Sequence, residues 1–292
     1  MDAIDRARVA LEGLSVGDAF GEQFLHAGPA ARSMRSAARS APVDRRWMWT
    51  DDTAMALSVV EVLAARGGID AHDLARAFAR RYVAEPARGY GGGAHKVLAQ
   101  IAEGVPYAIA AAELFDGQGS CGNGGGMRAA PIGAYFAGDL TATVEHADRS
   151  ARPTHAHPDG IAGAVAVAVA ASLVFAGERA PVAILDAVVA RTPAGPTRDG
   201  LRRATTLLRE EPITVAAELG NGSRVLAADT VPFAVWCAAT HLDDYAGALW
   251  ACTDVGGDID TTCAMVGGIV VGATGIAAIP AEWRASREPL VT

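Results

Sequence analysis

The stretch Trp49-Thr-Asp-Asp-Thr-Ala-Met-Ala-Leu-Ser-Val-Val-Glu-Val-Leu-Ala-Ala-Arg66 decides how the chain is read. Across residues 52–66, Met55, Val59, Val62 and Leu63 fall on one stripe at helical spacing. Working outward, the same period recurs over 71–83, 94–103, 107–115, 181–191, 197–210 and 245–253. Pro158, Pro181 and Pro212 stand where a first helical turn tolerates proline. Strict two-residue alternation is scarce: Val165-Ala-Val-Ala-Val169 suits a buried helix as well as a strand. The expectation is an all-α, compact multi-helix fold, a single domain over residues 1–292. No repeat or linker divides it, and the Arg/Ser/Ala-rich segment 27–41 reads as a surface loop.

Composition narrows the function classes. Hydrophobic residues at 51% and charged ones at 20% provide a sizeable core and exclude a disordered chain. Gly, 33 of 292, exceeds the usual share of about 7%. A net charge of −8 argues against bulk nucleic-acid binding. A small phosphate ligand remains accessible through backbone N–H groups or metal ions. Cys121, Cys237, Cys252 and Cys263 form no C-x-x-C pair, so free thiols in a reducing cytoplasm are expected. The N-terminus has no apolar signal region. The apolar runs 161–176 and 264–279 are shorter than the roughly 20 residues of a membrane span, so both read as core helices.

Four places break the helical pattern: Gly17-Asp-Ala-Phe-Gly-Glu-Gln-Phe24, Trp49-Thr-Asp-Asp-Thr53, the glycine-rich 115–128, and Gly256-Gly-Asp-Ile-Asp-Thr-Thr262. Asp51-Asp52 and Asp258-x-Asp260 each sit at the mouth of an expected helix. Either they cap it, or they gather around a cation. Carboxylate and hydroxyl oxygens without clustered His or Cys favour a hard ion such as Mg²⁺ or Mn²⁺. Gly117-x-Gly119-x-x-Gly122 matches a dinucleotide pattern, but a helical segment precedes it where that motif needs a strand. What remains is a flexible loop or an anion-binding concavity, with Ser120 and Asn123 able to add hydrogen bonds. His155 and His157 lack a third ligand at metal-site spacing, and no G-x-S-x-G nucleophile is present.

Taken in order, Gly17-Asp-Ala-Phe-Gly21, Trp49-Thr-Asp-Asp-Thr-Ala-Met55, Arg88-Gly-Tyr-Gly-Gly-Gly93, Gly119-Ser-Cys-Gly-Asn-Gly-Gly-Gly-Met-Arg128, Thr154-His155 and Gly256-Gly-Asp-Ile-Asp-Thr261 resemble the ADP-ribosylglycohydrolase family. The resemblance spans nearly the whole chain. It implies that Thr50, Asp51, Asp52, Asp258, Asp260 and Thr261 hold two Mg²⁺ ions, with Mn²⁺ the alternative. It implies that Gly119, Ser120, Cys121, Gly122 and Asn123 cradle a pyrophosphate, with Gly91 nearby. Phe115 would stack on adenine, and His155 would lie near the phosphates and ribose.

The implied activity is metal-dependent hydrolysis of the glycosidic bond between ADP-ribose and a modified protein side chain, arginine before serine. Asp51, Asp52 and Asp258 would take catalytic roles. The partner would be ADP-ribose or an ADP-ribosylated protein, met by a monomer. Two departures stand out. Many family members carry a Glu eight residues after the glycine matching Gly17, where this chain has Leu25; Glu22 is the expected substitute, from a shifted loop. Cys121 follows Ser120 where some relatives have an aromatic residue. Binding of ADP-ribose with weak or lost turnover is the alternative these departures leave open.

Overall fold

In the computed structural model, residues 1–25 and 27–290 are described, and among them there is no strand. The chain runs through α1 (Ala3–Leu25), α2 (Pro29–Ala37), α3 (Asp51–Arg66), α4 (Ala71–Ala84), α5 (Gly92–Ala102), α6 (Tyr107–Ala112), the distorted turn α7 (Leu114–Gly117), α8 (Ala130–Tyr135) and α9 (Leu140–Ala151). It continues through α10 (Pro158–Phe175), α11 (Pro181–Arg191), α12 (Pro196–Ala204), α13 (Pro212–Leu219), α14 (Ala227–Thr240), α15 (Tyr245–Val255), α16 (Ile259–Thr274) and α17 (Ala281–Ser286). Without a strand before the glycine loop, the dinucleotide-binding reading of Gly117–Gly122 has no scaffold.

At the centre, α10 and α16 are buried almost all round. α10 has 18 residues with mean hydropathy 1.8 and is long and apolar enough to cross a membrane, yet 83% of it lies inside the protein. Ala, Gly and Val keep its neighbours α8, α9, α14 and α16 close. Prolines begin α10, α11 and α13, where a missing N–H costs nothing.

The seam that matters for function joins α1 to α16. Gly13, Gly17 and Gly21 recur every fourth residue and so share one helix face. A Cβ on Gly17 would stand 2.2 Å from the Cys263 carbonyl oxygen; on Gly13, 2.4 Å from that of Gly267; on Gly21, 2.5 Å from the Asp260 Cα. The two backbones therefore touch, and the Tyr245 hydroxyl donates to the Gly13 carbonyl (2.6 Å) beside them. This corrects the reading of 17–24 as a break. The segment is continuous helix, and its glycines serve packing rather than a turn.

Three other expectations change. Segment 27–41 contains the helix α2 rather than loop alone. It is held by Ser36 and Arg39 on Asp254, and Arg39 lies 5.6 Å over the Trp250 ring. The helix expected over 107–115 stops at Ala112, because Phe115 and Asp116 adopt left-handed backbone (φ 52° and 57°). The helix expected over 197–210 stops at Ala204.

Phe20, Phe24, Trp47, Trp250 and Trp283 form an aromatic cluster at the end of α1, with Phe20 and Trp283 stacked at 4.3 Å. Trp47 is tied to the C-terminal segment by backbone bonds to Ser286 and Glu288. Arg88 lies 3.5 Å over the Trp49 ring, donates to the Trp49 carbonyl and pairs with Glu85 and Glu288. These contacts fix the approach of the chain to Thr50 and the start of α3.

Candidate functional site

The N-terminus of α3 meets the acidic ends of the seam between α1 and α16. Asp18 of α1, Asp52 of α3 and Asp260 of α16 each place a carboxylate oxygen within 4.8 Å of the others, and all three are buried. Asp18 was not among the expected site residues. Its carboxylate accepts from the Thr50 amide (2.9 Å) and hydroxyl (2.9 Å) and from the Thr53 amide (3.1 Å) and hydroxyl (2.5 Å), so it braces the first turn of α3. The available signal was a charge on the buried, glycine-lined face of an apolar helix.

Of the alternatives for the acids, capping finds no support. Thr50 and Asp258 occupy the N-cap positions of α3 and α16, and neither side chain makes a capping bond. Asp258 instead accepts from the Asn123 amide nitrogen (2.6 Å). Asp52 Oδ1 and Asp260 Oδ1 are buried without a hydrogen-bond partner. Orphaned carboxylate oxygens in a dry site are costly unless a cation meets them. The donor set is carboxylate and hydroxyl oxygen, which fits a hard divalent ion.

Electrostatics agree. Burial pushes the Asp18 carboxyl up to about 6, against the hydrogen bonds from Thr53 and Thr50. Burial, then repulsion from Asp18, pushes Asp51 up to about 7. Asp52 and Asp260 are driven well above the usual carboxylate range, first by burial and then by neighbouring aspartates. Thr261 is buried, and its backbone bonds the Asp260 carboxyl. The fold thus gathers Thr50, Asp51, Asp52, Asp258, Asp260 and Thr261 from the two ends of the sequence.

The glycine loop borders this cluster. Its segment Cys121–Asn123 pairs with the turn before α14: Ala227 donates to the Cys121 carbonyl (3.0 Å) and Asn123 to that of Val225 (3.1 Å). Asn123, buried in a short 3₁₀ turn, bonds both Thr230 and Asp258 through its amide nitrogen, which links the loop to the acid cluster. The Ser120 hydroxyl accepts from the Gly122 amide (3.1 Å). Gly119 requires its positive φ (75°), and a Cβ there would lie 2.7 Å from the His157 amide nitrogen.

Beneath the loop, the His155 ring would stand 3.3 Å from a Cβ on Gly124. Its Nδ1 pairs with the Thr154 hydroxyl (2.8 Å), and burial, helped by Arg128, pushes the imidazole down to about 3. It is therefore neutral. Arg128 is buried against Phe78 and donates to the Gly124 and Ser150 carbonyls and the Thr154 hydroxyl. It holds the loop from below. His157 accepts from the Asp159 amide at the start of α10, an ordinary cap.

The remaining expected residues are scattered around the rim. Phe115 is 61% exposed, and its ring lies over Gly93 at the start of α5. Gly91 borders open space, since a Cβ there meets nothing within 4 Å. Cys121 is a half-buried free thiol. Glu22 is half-buried and stands one helical turn beyond Asp18, so it sits on the helix α1 and not on the shifted loop expected for it.

Against known proteins, the family model described as ADP-ribosylglycohydrolase matches residues 1–290. A Bos taurus protein named ADP-ribosylhydrolase ARH3 is 31% identical over 275 residues, spanning 82% of this chain and 74% of its own. The Xenopus tropicalis protein of the same name is 29% identical over 323 residues, 98% and 91% of the two chains. A solved structure described as an ADP-ribosylglycohydrolase-related protein complex shares the fold, with a TM-score of 0.68 and 24% identity over 98% of this chain and 93% of that one.

Proposed function

The chain belongs to the ADP-ribosylglycohydrolase family, and from that membership we propose a metal-dependent hydrolase that releases ADP-ribose from a modified side chain. One observation carries the reading: three buried carboxylates from α1, α3 and α16 converge within 4.8 Å, two of their oxygens lacking partners, beside a glycine loop. Thr50, Asp51, Asp52, Asp258, Asp260 and Thr261 would hold two Mg²⁺ or Mn²⁺ ions, with Asp18 bracing Thr50. Bound there, such ions would neutralise the acids and supply a water of lowered pKa.

The protein's own groups do the rest. Backbone amides of Ser120 and Cys121, between glycines, bind the pyrophosphate, and the Phe115 ring offers a face to adenine. His155, neutral and fixed by Thr154, supports the loop near the phosphates. A carboxylate of Asp51, Asp52 or Asp258 takes the proton from the attacking water as the bond from C1″ to the side-chain nitrogen or oxygen breaks, and the departing atom takes up that proton in turn. Nearby carboxylates stabilise the positive charge that grows on the ribose. Glu22, one turn from Asp18, supplies the acid that Leu25 lacks. Four free thiols fit a reducing cytoplasm.

Preference for arginine over serine rests on the resemblance alone, so both linkages enter the test. Purified protein is mixed with peptides mono-ADP-ribosylated on arginine or on serine, with Mg²⁺ and with EDTA. Release of ADP-ribose in Mg²⁺ and not in EDTA is expected. No release from either peptide at any metal concentration, with calorimetry still reporting ADP-ribose binding, selects the second reading, a binding module that has lost turnover with the family Glu.

A further inference from the structure

We propose that the lobe formed by residues 29–48 docks the acidic polypeptide segment that flanks the modified side chain; this rests on the hydrolase reading above. The lobe carries Arg32, Arg35, Arg39, Arg45 and Arg46 against Asp44 alone, in a chain whose net charge is −8. It is the reverse in sign of the protein around it.

Its position ties it to the site. Ser36 and Arg39 bind Asp254 at the end of α15, and Arg45 donates to Gln23 (2.9 Å), next to Glu22 on α1. Arg32 reaches the turn that delivers Asp258: a Cβ on Gly256 would lie 2.8 Å from its Nη2. The lobe is thus a wall between the end of α1 and the Gly256-Gly257-Asp258 turn, beside the acids that, on the hydrolase reading, face the bond to the modified side chain.

Chemistry identifies the occupant. Arg35 and Arg46 are exposed and make no ion pair among the described residues. Guanidinium forks match carboxylates in geometry as well as charge. Between them the lobe exposes aliphatic side chains, Met34 at 74%, Met48 at 48% and Val43 at 43%. Methionine adapts to varied peptide surfaces. Single-stranded nucleic acid would need exposed aromatic faces for its bases, and the lobe's one aromatic residue, Trp47, is buried. An acidic peptide fits; a nucleic acid fits less well.

The test compares an ADP-ribosylated peptide flanked by three glutamates, the same peptide flanked by three lysines, and the free ADP-ribosylated amino acid. With each exposed pair contributing up to about fivefold, wild type should favour the acidic peptide by roughly tenfold in kcat/KM at low salt, through KM. The preference should shrink in 0.5 M NaCl. The double variant Arg35→Glu/Arg46→Glu, both surface positions, should lose it while hydrolysing the free amino acid conjugate as wild type does. Anisotropy with an unmodified Glu-rich peptide reads docking even if no conjugate turns over, which separates failure of this inference from failure of the hydrolase reading. Equal rates on the two peptides, or a preference untouched by the double variant, overturn the inference. So does an oligothymidylate that displaces the probe more strongly than polyglutamate does, and that outcome assigns the lobe to nucleic acid.

Discussion

Replacing Asp260 by Asn should stabilise the metal-free protein and abolish most of its stabilisation by metal. The change keeps the shape of the side chain and removes one charge. Oxygens of Asp18, Asp52 and Asp260 lie within 4.8 Å of one another, so each ionised pair repels by roughly 3 kcal/mol at an effective dielectric of about 20. Two such pairs involve Asp260. Proton uptake already relieves part of this, because burial and the neighbouring acids raise Asp260. The net release in EDTA at pH 8 is therefore about 1–3 kcal/mol, read as a melting-point rise of roughly 2–8 °C for a chain of this size. In Mg²⁺ the order should invert, since wild type gains stability with ion occupancy and the variant has lost a ligand. Calorimetry of both proteins in EDTA and in Mg²⁺ decides it. A variant no more stable than wild type in EDTA, or one that gains as much from Mg²⁺, would refute the claim that these carboxylates share an ion.

Other outcomes follow from the same geometry. The native pKa values of Asp18 and Asp51, about 6 and about 7, exceed the unfolded value of 3.8. The native state then binds protons more tightly, so metal-free stability should fall as pH rises from 4 through 7. Melting in EDTA at pH 5, 6.5 and 8 tests this, and a flat profile would contradict the burial of charge. Gly17→Ala drives a methyl group to 2.2 Å from the Cys263 carbonyl oxygen. It should cost about 1–3 kcal/mol by urea titration and reduce metal-induced stabilisation by a larger fraction, because Asp18 withdraws from Asp260. Phe115→Gly should raise stability by up to about 1 kcal/mol by relieving left-handed backbone at φ 52°, while raising KM for ADP-ribosyl substrates with kcat little changed. Steady-state kinetics and a thermal melt read both effects.

The helical class and the acid pairs of the candidate site were legible because their signals are local. The stripe Met55–Val59–Val62–Leu63 declares itself within nine consecutive residues, and paired acids before it stand out against an apolar background. Asp18 escaped because the glycines around it looked like punctuation. Their four-residue spacing from Gly13 to Gly21 marks a packing face, and Asp18 acquires its role only from α3 and α16, both distant in sequence. The lobe helix α2 was hidden by its arginine and serine content, since its anchors, Asp254 and Trp250, come from α15. Nor does sequence spacing reveal the left-handed turn at Phe115 and Asp116, which precedes the point where Gly119 tucks against Ala156 and His157.

The contact between α1 and α16 also bears on how the protein is made. Tyr245 bonds Gly13 across 232 residues, so α1 is synthesised long before α16 and waits for it before its glycine face is covered. Until then that face is exposed to whatever else can lie against it, and a pairing of such long reach forms slowly. A nascent chain halted before α16 lacks Asp260 of its acid cluster and has no seam to close. Such a fragment should be bound by chaperones rather than by metal.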